Sequence, residues 1–120
     1  MKKINDTWKL FVSYSFIIFF ILFSNGASGQ IVAKDFNAGW NKANGVDWLG
    51  KLKDVKTISY TDVAKNPEAQ KKYKIAVVPT IIIFKDGEEV ARFQADLSFK
   101  MIATREEVQE EIDNQLMSDF

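Results

Sequence analysis

Apolar and polar positions along this chain fall into short segments of different period. Ile31-Val32-Ala33 opens a stretch over 31–40 that reads as a strand. Over 42–54, Val46, Leu49 and Leu52 recur at near-helical spacing with Trp48 beside them. That predicts a helix, weakened by Gly45 and Gly50. Residues 55–61 are rich in β-branched side chains and end in Tyr60, a second strand. Asn66-Pro67 sets a capping residue before a proline at the first helical position, so a short helix runs to about Tyr73. Over 78–84 almost every residue is apolar, the signature of a strand buried on both faces. Asp86-Gly87 within 85–88 supplies the positive φ of a tight hairpin, and 89–95 returns as a strand. Thr104 and Glu107 have capping-box spacing and open a final helix, in which Val108, Ile112 and Leu116 share one side.

The order is β-α-β-α-β-β-α. It predicts an α/β fold: a parallel βαβ unit followed by an antiparallel hairpin and a closing helix. The sheet would be four-stranded and mixed, with flanking helices. No internal repeat, low-complexity tract or linker interrupts 30–120, which reads as one domain.

The start of the chain is a separate object. Lys2, Lys3 and Lys9 precede an apolar run over 10–23, and small and polar residues including Ala27 and Gly29 follow. This is the pattern of a signal peptide over 1–29, with cleavage expected between Gly29 and Gln30. The domain is then expected to be exported, either periplasmic or secreted, with no stable membrane insertion after cleavage. An uncleaved membrane anchor is the alternative, although the apolar run is shorter than the ~20 residues of a spanning helix.

Composition narrows the chemistry. Lys+Arg and Asp+Glu each number 16, and the segment after the leader is slightly acidic. Nucleic acid and anionic membranes are therefore poor partners. The chain has no cysteine and no histidine. There is no thiolate nucleophile, no disulfide, no thiolate metal site and no imidazole base. No carboxylate spacing suggests a calcium loop, and no cofactor or metal is expected.

Several collinear motifs carry a resemblance. Asp35-Phe36 closes the first strand, Trp40 precedes Asn41, and Asn44 follows three residues later. Asn66-Pro67, Tyr73-Lys74-Ile75, Val78-Pro79-Thr80 and Phe84-Lys85-Asp86-Gly87 come after at fixed spacing. Together they resemble the thioredoxin family over nearly all of 30–120, with Asn41 and Asn44 where that family's two cysteines stand. The resemblance implies a minimal thioredoxin fold and a cis Val78–Pro79 bond. It also implies an extended-polypeptide groove in which Trp40 forms a wall and the Val78 backbone pairs with the bound chain. Asp35 matches the family's semi-buried acid. The departures are equally plain. Lys42-Ala43 replaces Gly-Pro, and Leu49 replaces the proline that kinks the active-site helix, which implies a straighter one. Tyr60 stands where a lysine often accompanies the buried acid, and Ala95 stands near the glycine that lines the groove. The family's first strand and helix have no counterpart.

Thiol–disulfide exchange needs a thiolate, and an amide supplies none. The expectation is a redox-inactive domain, not an enzyme, that binds an extended polypeptide or a protein partner through Trp40, Asn41, Asn44, Val78 and Pro79. Against each stands a plainer reading: Trp40 as core, Asn41 as a helix cap, Pro79 as a turn requirement, Asp35 as a structural relic. Leu97, Phe99 and Met101 lie in a segment, 94–103, too apolar for an ordinary loop. It reads as core or as a partner-facing patch, and a homodimer through that patch is the alternative function. An enzyme with non-thiol chemistry is a further alternative for which no constellation of residues is visible.

Overall fold

A computed structural model describes residues 29–118. The expected signal peptide, Gly29 apart, lies outside the described residues. Strands β1 (Ile31–Asn37), β2 (Thr57–Asp62), β3 (Thr80–Lys85) and β4 (Glu88–Gln94) form one sheet in the order β2-β1-β3-β4. β1 runs parallel to β2 and antiparallel to β3, and β3 pairs antiparallel with β4. Helices α1 (Pro67–Lys72) and α2 (Arg105–Met117) flank it, and short 3-10 helices at Gly39–Asn44 and Leu49–Lys51 follow β1. The mixed four-stranded sheet with flanking helices is the predicted architecture.

Strand alternation sorts the core into two layers. Ile31 and Ala33 of β1 and Ile81 and Ile83 of β3 face Leu49 and Leu52 on one side, where Val108 and Ile112 of α2 close the layer. Phe36 and Ile82 face the other side and meet Ala38, Val63, Ile75 and Val78. The central strand β3 is buried on both faces at Ile81, Ile82 and Ile83, as its unbroken apolar run requires. The hairpin turns at Asp86 and Gly87, both with positive φ, the geometry that matches strand twist. The Asp86 carboxylate also accepts the N–H groups of Gly29 and Gln30, which pins the entry to β1 beside that turn. Asn66 caps α1 by accepting the Ala69 N–H, and the Thr104–Glu107 capping box is complete in both directions.

The helix expected over 42–54 is not continuous. The chain makes one 3-10 helix, breaks into extended backbone at Gly45, and makes a second at Leu49–Lys51. The cause lies in Gly45 and in the asparagines. A Cβ at Gly45 would stand 3.1 Å from the Lys42 carbonyl oxygen, so the chain approaches itself where a helix would continue. The Asn41 and Asn44 side chains bond each other and their surroundings, which competes with helical pairing. Leu49 and Leu52 still reach the core, so the apolar spacing survives without the helix that suggested it. The absence of a proline at position 49 does not straighten this segment. The first strand stops at Asn37, not at residue 40, and Trp40 lies outside the core at 66% exposure.

Candidate functional site

The site gathers where β1, the first 3-10 helix, the loop before β3 and the loop after β4 meet. Asn41 is at its centre and is 4% exposed. It does not cap the helix. Ala38 holds that position, its carbonyl accepting the Asn41 N–H at 2.9 Å. The Asn41 side-chain amide instead donates to Asn37 Oδ1 at 3.1 Å, to the Phe99 carbonyl at 3.0 Å and, more weakly, to the Val78 carbonyl at 3.4 Å. Its own Oδ1 accepts the Asn44 amide at 2.9 Å. One buried side chain thus ties three segments distant in sequence, and its polar atoms are satisfied in the low-dielectric interior.

The Val78–Pro79 bond is cis, as the resemblance implies. The Pro79 carbonyl accepts the Ala95 N–H, and the Thr80 hydroxyl donates to the Val77 carbonyl, so the loop is fixed on both sides. Among the described residues the Val78 N–H meets no acceptor. A backbone donor therefore remains beside the aromatic pair.

The segment after β4 folds back through an Ala95–Met101 bridge. Asp96 staples it: its Oδ1 accepts the Ser98 N–H, the Ser98 hydroxyl and the Lys100 N–H. Those donors hold the Asp96 carboxyl below its ordinary pKa. Phe99 sits at φ 63, a conformation that turns its carbonyl to Asn41. Its ring meets Trp40 edge-on, with centroids 5.1 Å apart. The two rings border a cavity of about 180 Å³ floored by Val63, Ile75, Val77 and Val78.

Of the loop patch expected as a rival surface, Phe99 alone joins the groove residues. Trp40, Asn41, Val78 and Phe99 converge, with Asn44 attached through Asn41. Pro79 is buried beneath them and shapes the loop without lining the cavity. Met101 packs against the core, whereas Leu97 projects from the loop at 92% exposure. Sequence reading missed Asn37, the acceptor for Asn41, and Asp96, whose Asp-x-Ser spacing is a local turn signal.

Asp35 lies on the opposite side of the 3-10 helix, in register with Tyr60 of β2 and Ile81 of β3. It is 5% exposed, and its Oδ1 has no hydrogen-bond partner. Burial alone pushes its pKa up to about 6. The nearby Lys34 ammonium offers no relief: it stands over the Tyr73 and Phe84 rings on the other face of the sheet.

The thioredoxin family's sequence profile matches residues 29–110. The chain belongs to the thioredoxin family. It is 43% identical over 54 residues to the chloroplastic thioredoxin Y1 of Arabidopsis thaliana, a match that covers 45% of this chain and 31% of that protein. The matched part thus spans about a third of that relative's length. The Fasciola hepatica thioredoxin structure superimposes with a TM-score of 0.53 at 31% identity, over 78% of this chain and 88% of that one. The Schistosoma mansoni thioredoxin does so at 0.54 and 28% identity, over 71% and 76%. In this cysteine-free family member, buried asparagine fills the first cysteine position.

Proposed function

We propose that this chain is an exported, redox-inactive thioredoxin-like domain, not an enzyme, that holds an extended polypeptide or protein partner in the former active-site groove. The observation that carries the reading is the exposed Trp40–Phe99 pair beside the Val78 N–H, which meets no acceptor among the described residues. Those elements offer apolar area and a main-chain donor in one place, the two requirements of strand-like peptide capture. The basic, apolar and small-residue succession over 1–29 supports export. The slight acidity of the remainder supports a protein partner over nucleic acid or an anionic membrane.

The test is titration with a reduced, alkylated and therefore unfolded model protein, followed by the backbone and indole NMR signals. Shifts confined to Trp40, Val77, Val78 and Phe99 support the groove. Unchanged signals there at millimolar ligand would refute it. The exposure of Leu97 and Ile102 at 92% and 67% favours a second reading, a homodimer through the 94–102 loop.

A further inference from the structure

The two edges of the sheet are built differently. β4 carries Glu88, Glu89 and Arg92, and a register shift at Ile83/Phe84 disturbs its pairing with β3. Charges and bulges of this kind are how proteins prevent strand addition. β2 is less guarded, its one charge, Asp62, standing at its last residue. Thr57-Ile58-Ser59-Tyr60-Thr61 contains no charge and no proline, its ladder with β1 shows no register shift, and Thr57 and Tyr60 are exposed. The Val63 N–H just past the strand donates inward to Asn37. By strand alternation, Thr61 and Ser59 also turn their backbone groups toward β1. Ile58 and Tyr60 then turn theirs outward, to an edge that no described residue pairs. Lys56, one residue before the strand, departs from this alternation and donates its N–H inward to the Ile31 carbonyl at 2.7 Å.

We propose that β2 is the interface for a second copy of this chain, paired antiparallel to its own β2 across a two-fold axis at Ser59. The register follows from the residues. With Ser59 opposite itself, Ile58 faces Tyr60 of the second copy and exchanges both backbone hydrogen bonds with it. Thr57 faces Thr61, and just before the strand the long Lys56 side chain comes within reach of Asp62. An aromatic–β-branched pair, a Thr–Thr pair and an opposite-charge pair are each favourable across strands, and the symmetry makes each of them twice. A one-residue slip sets outward backbone groups against inward ones. A two-residue slip sets either Lys56 against Tyr60 or Asp62 against Ile58, and the charge pairing is lost.

The charged ends are free to pair. The Lys56 ammonium touches the exposed Gln30 side chain, and among the described residues Asp62 spends Oδ1 on the Ala64 and Lys65 N–H groups while Oδ2 makes no hydrogen bond. The paired copies form one continuous sheet.

The absence of cysteine makes the test direct. In an antiparallel pair, residues opposite each other without mutual hydrogen bonds bring Cα atoms to about 4.5 Å, within disulfide range. Ser59→Cys should therefore cross-link to a dimer on mild oxidation of the otherwise cysteine-free protein, while Leu97→Cys at the loop tip should not. Sedimentation equilibrium of the unmodified protein should show a concentration-dependent doubling of mass. Lys56→Glu and Asp62→Lys should each weaken the dimer by about tenfold, through like-charge pairs. An equimolar mixture of those two variants should recover it as a heterodimer, because each faces its complement. Melting curves of the variants establish that both are folded. A monomeric mass at all concentrations overturns the proposal. So does cross-linking of Leu97→Cys in place of Ser59→Cys, or failure of the mixture to recover the dimer. Ser59 and Lys56 lie outside the groove lining, so peptide binding by Ser59→Cys and Lys56→Glu is tested separately.

Discussion

Asn41 and Phe99 lie 58 positions apart and are joined by one buried contact, the Asn41 side-chain N–H donating to the Phe99 carbonyl at 3.0 Å. That bond fixes the loop that carries the Phe99 ring, and the ring in turn meets Trp40. The residue at the first cysteine position has thus become the fastening of the groove wall. Its other donors reach Asn37 and Val78, so its removal strands three acceptors at once.

Asn41→Ala should cost about 2–3 kcal/mol, because buried acceptors lose their donors and gain nothing in exchange. Denaturant unfolding measures the loss. Amide exchange should also quicken at Phe99 and Lys100, since the loop loses its tie. An Asn41→Ala protein with unchanged midpoint and unchanged exchange would show that the contact holds nothing.

Asp35 gives the fold a pH dependence of defined sign. Its folded pKa is about 6 against an ordinary 3.8. Below 3.8 it is protonated in folded and unfolded chains alike, and it imposes no penalty. Between those values the unfolded chain releases the proton more readily, so stability falls as pH rises and levels off above 6. The penalty above that range is about 3 kcal/mol by linkage. Asp35→Asn should therefore stabilise the protein at pH 7.5 by about 1–3 kcal/mol, with little change near pH 3.5. Urea unfolding at the two pH values decides it, and a destabilised mutant at pH 7.5 would reveal a charge partner for the carboxylate.

The layers of the fold were legible because they rest on period and punctuation. The unbroken run at Ile81-Ile82-Ile83, the Asp86-Gly87 turn and the Thr104–Glu107 box are each local and self-sufficient. The 42–54 segment was misread because its apolar spacing is satisfied by two 3-10 helices as well as by one α-helix. What decided between them was the close approach at Gly45 and the bonding among asparagines, both tertiary facts. Trp40, Asn41 and Val78 were legible as a cluster only through the resemblance. That Phe99 belongs with them was not, because its place depends on a left-handed backbone stapled by Asp96.

The protein should reduce no insulin disulfides above a protein-free control, in a preparation free of host thioredoxin. The sequence holds no sulfur nucleophile, and amides do not substitute for one. Placing cysteine at both 41 and 44 should restore little. Position 41 is 4% exposed and lies against the Phe99 carbonyl, so a substrate disulfide cannot reach a thiolate there without opening of the loop. Vigorous turnover by that double variant would show that the loop yields readily, and would place the barrier to redox function in the missing sulfur alone.

Trp40 and Phe99 should act on a bound polypeptide as one unit. Their rings meet edge-on at 5.1 Å and line the same cavity, so removing either ring also frees the other from its packing. Trp40→Ala and Phe99→Ala should each weaken binding of the unfolded model protein by about 1–3 kcal/mol. The double variant should lose less than the sum, by roughly the 0.5–1.5 kcal/mol that an aromatic pair contributes beyond its buried area. Glu110→Ala on the distant α2 should leave binding unchanged and serves as the control. Isothermal titration of the four proteins measures the cycle. Strict additivity would mean that the rings contact the polypeptide independently. Loss on Leu97→Ala with normal binding by Trp40→Ala would move the working surface out of the groove and onto the loop tip.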